Sequence, residues 1–262
     1  MKRSKTKGFL LISIILLAST AKLLSAGGEA EPIKVNWSFK GITGKFDRAS
    51  LQRGFQVYKE VCSSCHSMQY LSYRNLSESG GPEFSKEEVK AIAASVEITD
   101  GPNDQGEMFT RPGRPADKFK NPYPNVKASI AANGGAYPPD MSVLVKARPG
   151  GSNYIYSVLV GYEDPPEGMT LDDGVYYNKY MIGTKIKMSS PLSDDIVEYT
   201  DGTQASVDQM AKDVTTFLTW AAEPELEERH RTGVKVIIYL ILLTTLVYLS
   251  MKKIWSRIDT EV

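Results

Sequence analysis

The 262-residue sequence is short of the residues that build metal centres and disulfide frameworks, with only two cysteines and two histidines. A zinc site would need more ligands than this. There is no third cysteine, and the only histidine outside the neighbourhood of Cys62 and Cys65 is His230. Net charge is also missing: 31 basic residues balance 31 acidic ones, which removes the bulk electrostatic case for binding nucleic acid. No uncharged run reaches the roughly 20 residues that span a bilayer unaided. Residues 9–18 are too short, and residues 236–251 are sixteen without a charge. Glycine and proline, by contrast, are plentiful at 21 and 14, as in a domain whose irregular chain wraps around something.

Both cysteines sit in one motif, Val61-Cys62-Ser63-Ser64-Cys65-His66-Ser67. Cys-x-x-Cys-His is the attachment signature of c-type haem. Two thiols at this spacing can each add to one vinyl group of a single porphyrin. The histidine that follows is carried under the ring, where an imidazole nitrogen can bind iron. A thioredoxin-like motif would want a strand before it, whereas a helical pattern precedes this one. A haem-free thiol oxidoreductase using Cys62 and Cys65 is the competing reading, and it implies free thiols and no visible absorption.

Residues 1–26 have the form of a secretory signal, with a basic start (Lys2, Arg3, Lys5, Lys7), a short apolar core and small residues at Ala21 and Ala26, either of which can mark the cleavage site. Residues 27–228 then read as an exported domain. Trp37, Phe39 and Phe46 are candidate core anchors. Ser50 can cap a helix whose face carries Leu51, Phe55, Tyr58 and Val61, with Gly54 leaving room for a second helix. Ser85 and Glu88 form a capping box ahead of Val89, Ile92, Ala93 and Val96. Residues 99–125 carry five prolines and predict no regular structure. Short helices are expected over 126–132, 141–147 and 152–160, and a small hairpin around Asp201-Gly202. Ser206 and Gln209 open an amphipathic helix, ended by Pro224, expected to cross the 50–61 helix.

A methionine thioether is the usual soft sixth ligand of such an iron. Met188, in the extended stretch Lys185-Ile186-Lys187-Met188-Ser189-Ser190-Pro191, is one candidate; Met181 competes with it, and His230 is a rival set among charges. Met141 and Met210 fit helix faces, where core packing is the default. At the C-terminus, residues 232–251 read as a transmembrane helix, with Lys235 and Lys252 able to snorkel. Residues 252–262 form a short tail. Basic residues flank both ends, so orientation rests on the signal sequence: domain outside, tail in the cytoplasm.

Many ordered runs resemble the cytochrome c1 family, the membrane-anchored c-type subunits of the ubiquinol–cytochrome c reductase or bc1 complex. They include Arg53-Gly54-Phe55-Gln56-Val57-Tyr58, the haem motif through Met68, Asp100-Gly101-Pro102-Asn103, Arg111-Pro112-Gly113, Ala136-Tyr137-Pro138-Pro139-Asp140, Gly161-Tyr162 and Trp220-Ala221-Ala222-Glu223-Pro224. The resemblance runs from Trp37 to the tail. It implies a mainly α, cytochrome c-like haem domain with long irregular loops and one C-terminal transmembrane helix. It further implies one covalent haem c, held by Cys62 and Cys65, with His66 and Met188 as axial iron ligands. Arg148 and Tyr154 fall on the positions that bind haem propionates, and Asn133 and Pro139 on pocket-lining positions. The family includes members with extra cysteines; this chain has none, so no stabilising disulfide is expected.

The implied function is single-electron transfer from a Rieske iron–sulfur protein to cytochrome c, with no catalysis by the subunit in isolation. Cytochrome b and the Rieske protein are the implied partners, in a dimeric complex of a bacterial inner membrane with the haem domain in the periplasm. An anchored c-type cytochrome feeding another reductase or oxidase would share every haem residue. Acidic groups at Glu163-Asp164, Glu167, Asp172-Asp173 and Asp194-Asp195 can steer a basic cytochrome c.

Overall fold

The computed structural model describes residues 30–258. The signal segment 1–26 and the last residues of the tail, 259–262, lie outside it. The chain is mainly helical: α1 (Arg48–Glu60), α2 (Lys86–Ala94), α3 (Val126–Ala132), α4 (Ser152–Val160), α5 (Val207–Ala222) and α6 (Leu226–Ile258). Short 3₁₀ turns occupy Cys62–Ser64 and Tyr73–Ser77. Two antiparallel pairs, β1 (Glu97–Asp100) with β2 (Phe109–Pro112) and β3 (Tyr176–Tyr177) with β4 (Lys185–Ile186), complete the described elements.

The crossing of α1 and α5 organises the core. Gly54 makes it possible, because a Cβ there would lie 2.1 Å from the carbonyl oxygen of Asp213. Around the crossing, Phe55, Tyr58 and Phe217 pack together at ring separations of 5.7 to 5.9 Å, and Phe119 stacks on Tyr73 at 4.8 Å. Asp213, with no exposed side-chain surface, is met by the Arg53 guanidinium at 2.8 Å, and Arg53 also reaches Asp201 at 2.7 Å. A buried carboxylate needs such a partner, since an unpaired charge in the interior is costly. The N-terminal segment lies over α4: Trp37 is buried and its indole N–H donates to the Asn153 side chain at 2.7 Å.

Capping follows the sequence at α2 and α5, where Ser85 and Ser206 accept from the backbone N–H groups of Glu88 and Gln209. At α1 it does not. The helix opens at Arg48, ahead of Ser50, because the Asp47 carboxylate accepts from the Ala49 N–H. The proline-rich 99–125 stretch contains regular structure after all. In β1–β2 Glu97 faces Pro112 and Asp100 faces Phe109. The Asn103 side chain accepts from the N–H groups of Gln105 and Glu107 and so closes the connection locally.

Two further expectations give way. Around Asp201-Gly202 there is a turn and no strand pair: the Asp201 carboxylate accepts from Thr203 N–H, while Val197 and Tyr199 turn into the core. Residues 141–147 form successive turns: Leu144 and Lys146 donate three residues back, to Met141 and Val143, and the Ala147 N–H is shared between Val143 and Leu144.

Helix α6 leaves the domain as one continuous rod of 33 residues, about 50 Å at about 1.5 Å per residue. From Val236 to Trp255 its described side chains are exposed and predominantly apolar. It is the one helix among the described residues long and apolar enough to cross a membrane. The expected mainly α architecture with long loops and a C-terminal apolar helix is therefore present.

Candidate functional site

The Cys-x-x-Cys-His motif sits where α1 ends and tightens into the 3₁₀ turn. The Cys62 carbonyl accepts from both Cys65 N–H (3.1 Å) and His66 N–H (2.9 Å). Ser63 and Ser64 donate their hydroxyls back to the Lys59 and Val61 carbonyls, so the residues between the cysteines serve the turn. Cys62 is buried, Cys65 is half-buried, and neither thiol is in a disulfide. Burial, assisted by the neighbouring Cys65, pushes the Cys62 thiol up to about 12. The buried Tyr58 hydroxyl donates to the His66 carbonyl at 3.2 Å and ties the motif back to α1.

His66 is buried, and its Nδ1 lies 2.8 Å from the Pro139 carbonyl oxygen. A carbonyl can only accept, so Nδ1 carries the proton and Nε2 keeps its lone pair for a metal. Burial holds the imidazole below its ordinary pKa, with the Pro139 hydrogen bond opposing. Neutral imidazole is the form that binds iron.

Asp140 pins the Pro139 loop in place. Its carboxylate accepts from Ser67 Oγ (2.7 Å), Gln69 N–H (3.0 Å) and Ser142 N–H (2.8 Å). Burial pushes Asp140 up, but the hydrogen bonds from Ser142, Gln69 and Ser67 outweigh it and its pKa falls. The sequence shows Asp140 only as the last letter of a matching run; its role as the staple between the His66 and Pro139 loops needs the fold.

Met188 is half-buried just after β4. The Tyr162 hydroxyl donates to its carbonyl at 3.0 Å, and the preceding Lys187 Nζ donates to the Gly134 carbonyl at 3.0 Å. The segment is thus tied to the end of α4 and to the turn after α3. Tyr162 is itself placed by a bridge to Asn178, whose fully buried amide donates to Val158 at the end of α4. The rival Met181 lies against Tyr154, whose hydroxyl donates to its sulfur at 3.4 Å. His230 lies at the far end of the chain, with Nδ1 3.1 Å from the Gly44 carbonyl at the root of α6.

Tyr154 is buried on α4, and the positive charge of Arg148 is felt at its hydroxyl, although burial dominates and raises it. Among the described residues the Arg148 guanidinium reaches only its neighbour's carbonyl, Ala147, at 3.1 Å, leaving most of its donors for an anionic group. Asn133 caps the C-terminal end of α3, its side chain donating to the Ser129 carbonyl; this is a structural use. The acidic residues singled out in the sequence are exposed. Two are already engaged: Glu163 pairs with Lys179, and Asp194 accepts from Val207 N–H at the start of α5.

The donor set suits a covalently held haem: two thiols at one turn, an imidazole with Nδ1 committed and Nε2 available, and a thioether on an independently anchored strand end. Arg148 and Tyr154 lie close enough to each other to interact.

Comparison with known proteins shows the family. Residues 37–258 match the model of the Cytochrome C1 family. A Solanum tuberosum protein, "Cytochrome c1-2, heme protein, mitochondrial", is 53% identical over 79% of this chain and 78% of its own length. Rhodospirillum rubrum "Cytochrome c1" is 46% identical over 92% of this chain and 96% of its own. Bradyrhizobium diazoefficiens "Cytochrome b/c1" is 48% identical over 94% of this chain. The chain spans only 39% of that last, longer protein.

Proposed function

This chain belongs to the cytochrome c1 family, and on that premise we propose that it is the membrane-anchored electron carrier of a bc1 complex, taking single electrons from a Rieske iron–sulfur protein and passing them to cytochrome c. Haem and a place in a respiratory membrane complex come with the family. When bound, the haem supplies a one-electron ferric–ferrous couple.

The chain's own residues have separate tasks. Cys62 and Cys65 would form the two thioethers, and His66 would present Nε2 to the iron while Pro139 holds Nδ1–H. Met188 would offer its sulfur as the second protein ligand. Held by His66 and Met188, the iron would be closed to oxygen and small ligands. Arg148 would supply charge-assisted donors to a propionate, and Tyr154 would add one once its hydroxyl turns from the Met181 sulfur. The burial of Cys62 opposes the thiol-exchange reading, which needs an accessible thiolate. Helix α6 anchors the domain. With residues 1–26 as an export signal, the domain faces the periplasm and the tail the cytoplasm of a bacterial inner membrane. Cytochrome b is the membrane partner, in a dimeric complex.

The observation that carries this reading is the His66–Pro139 hydrogen bond next to the two-thiol turn, which prepares an imidazole for iron beside covalent attachment points. The deciding experiment is acid–acetone extraction of the purified protein followed by a pyridine haemochrome spectrum. Haem that stays with the chain and shows two-thioether absorption is the expected result. Haem that extracts, or none, would overturn it.

A further inference from the structure

The most exposed large apolar side chain among the described residues is Ile42, at 74%. It belongs to no part of the site above. It stands at the tip of Lys40-Gly41-Ile42-Thr43-Gly44-Lys45, a turn closed by Gly44 N–H donating to the Gly41 carbonyl at 3.2 Å. Gly41 takes a positive φ of 88° and has nothing within 4 Å of where a Cβ would stand, so the tip points into open space. A single exposed isoleucine ordinarily needs no explanation; its place in this fold supplies one.

The turn is bolted to the root of α6. The Gly44 carbonyl is 3.1 Å from His230 Nδ1, and Phe46 N–H donates to Glu227 at 2.8 Å. Arg48 grips the same Glu227 carboxylate with both terminal nitrogens at 2.8 Å. Ile42 and Lys45 line one groove with His230, Arg231 and Val234. The uncharged run of α6 starts at Val236 and is sixteen residues long. A hydrocarbon layer takes roughly 20 helical residues, so the layer extends past this run into the flanking turns. Its outer edge on this side falls close to Val234, beside Ile42.

We infer that the 40–45 turn is a second membrane contact, with Ile42 inserted at the outer edge of the bilayer and Lys40 and Lys45 on lipid headgroups. This rests on the reading of α6 as a transmembrane anchor. An apolar tip flanked by lysines beside a spanning helix matches the chemistry of an interfacial anchor: the apolar group enters the acyl boundary and the ammonium groups stay with the phosphates. Two contact points fix the tilt of the haem domain, which a lone helix would leave free to swing.

The full haem-loaded chain in nanodiscs of phosphatidylethanolamine and phosphatidylglycerol tests this. The only native cysteines are those of the haem motif, so Ile42→Cys can carry a single nitroxide, with Leu240→Cys as the mid-helix reference. Power-saturation EPR compares collisions with oxygen, which concentrates in lipid, and with a water-soluble nickel chelate. The inference expects oxygen to dominate several-fold at position 42, with the same sign as at 240. Nickel dominating at 42 while oxygen dominates at 240 overturns the second contact and leaves the anchor standing. Low access to both reagents at 42 also overturns it, since protein and not lipid then covers the turn. Nickel dominating at 240 would remove the anchor reading and this inference together.

Discussion

The Tyr162 hydroxyl donates to the carbonyl oxygen of Met188 at 3.0 Å, joining residues 26 apart in sequence. This bond reaches the backbone of the candidate sulfur ligand, so it acts on the ligand's position and not on its chemistry. Tyr162→Phe removes it at a cost of about 0.5–1.5 kcal/mol. Thioether ligation favours ferrous iron, so the midpoint potential should fall, by at most about 65 mV, the one-electron equivalent of the whole bond. Redox titration and the absorption band of ferric iron–sulfur ligation read the effect; an unchanged potential would show that Tyr162 does not position Met188.

Gly54→Ala puts a methyl 2.1 Å from the Asp213 carbonyl oxygen and 2.8 Å from Phe217 Cβ. Neither neighbour is the end of a flexible chain, so α1 and α5 must separate. A loss of about 1–3 kcal/mol is expected, visible as a lowered Tm of the holoprotein. An unshifted Tm would mean the helix crossing is looser than the structure shows.

Arg53→Met strips Asp213, which has no exposed side-chain surface, of its cation. Removing one partner of a buried pair costs about 3–5 kcal/mol, whereas replacing both with apolar residues costs far less. Denaturant unfolding of Arg53→Met, Asp213→Leu and the double variant should therefore show the double variant more stable than Asp213→Leu plus Arg53→Met would give by addition. Strict additivity would sink the pairing argument.

Asp117 joins the β1–β2 hairpin to the following loop through Arg111, at 2.7 Å. That hydrogen bond, against the opposing effect of desolvation, lowers its pKa from 3.8 to about 2. A depressed carboxylate stabilises the fold fully above its unfolded pKa and loses that contribution as pH falls through the folded one. Hydrogen exchange in residues 97–117 should therefore quicken relative to the rest of the domain as pH drops from about 4 toward about 2. Arg111→Gln should abolish that dependence.

Cys65→Ala removes one attachment point while leaving His66 and Pro139 in place. The expected outcome is a marked loss of mature holoprotein and, in what matures, a single-thioether haemochrome spectrum. Normal yield with an unaltered spectrum would contradict covalent attachment at Cys65.

Local chemistry was legible without the fold. Cys62, Cys65 and His66 are adjacent in the chain, so their spacing states their chemistry. Ser85, Ser206 and Pro224 mark helix ends because capping is settled within a turn. Gly54 announced a close crossing, since a glycine inside an amphipathic helix asks for a reason, and the uncharged run of α6 is a property of composition. In the 99–125 stretch the prolines hide a hairpin whose connection is closed at Asn103, through its side chain and its backbone.

Everything that joins distant residues was decided by the tertiary structure. Pro139 meets His66 across 73 positions, and Asp140 spans the same interval to Ser67. Tyr154 engages the sulfur of Met181, a contact that spacing does not encode. His230 was set among charges in the sequence, but only the fold brings it to Gly44. Hydrogen bonds and ion pairs of this kind depend on where loops end in space, and loop trajectories follow from packing against α1 and α5. The sequence by itself determined which chemistry this chain can hold and that it carries an apolar helix; the fold decided which side chains orient that chemistry.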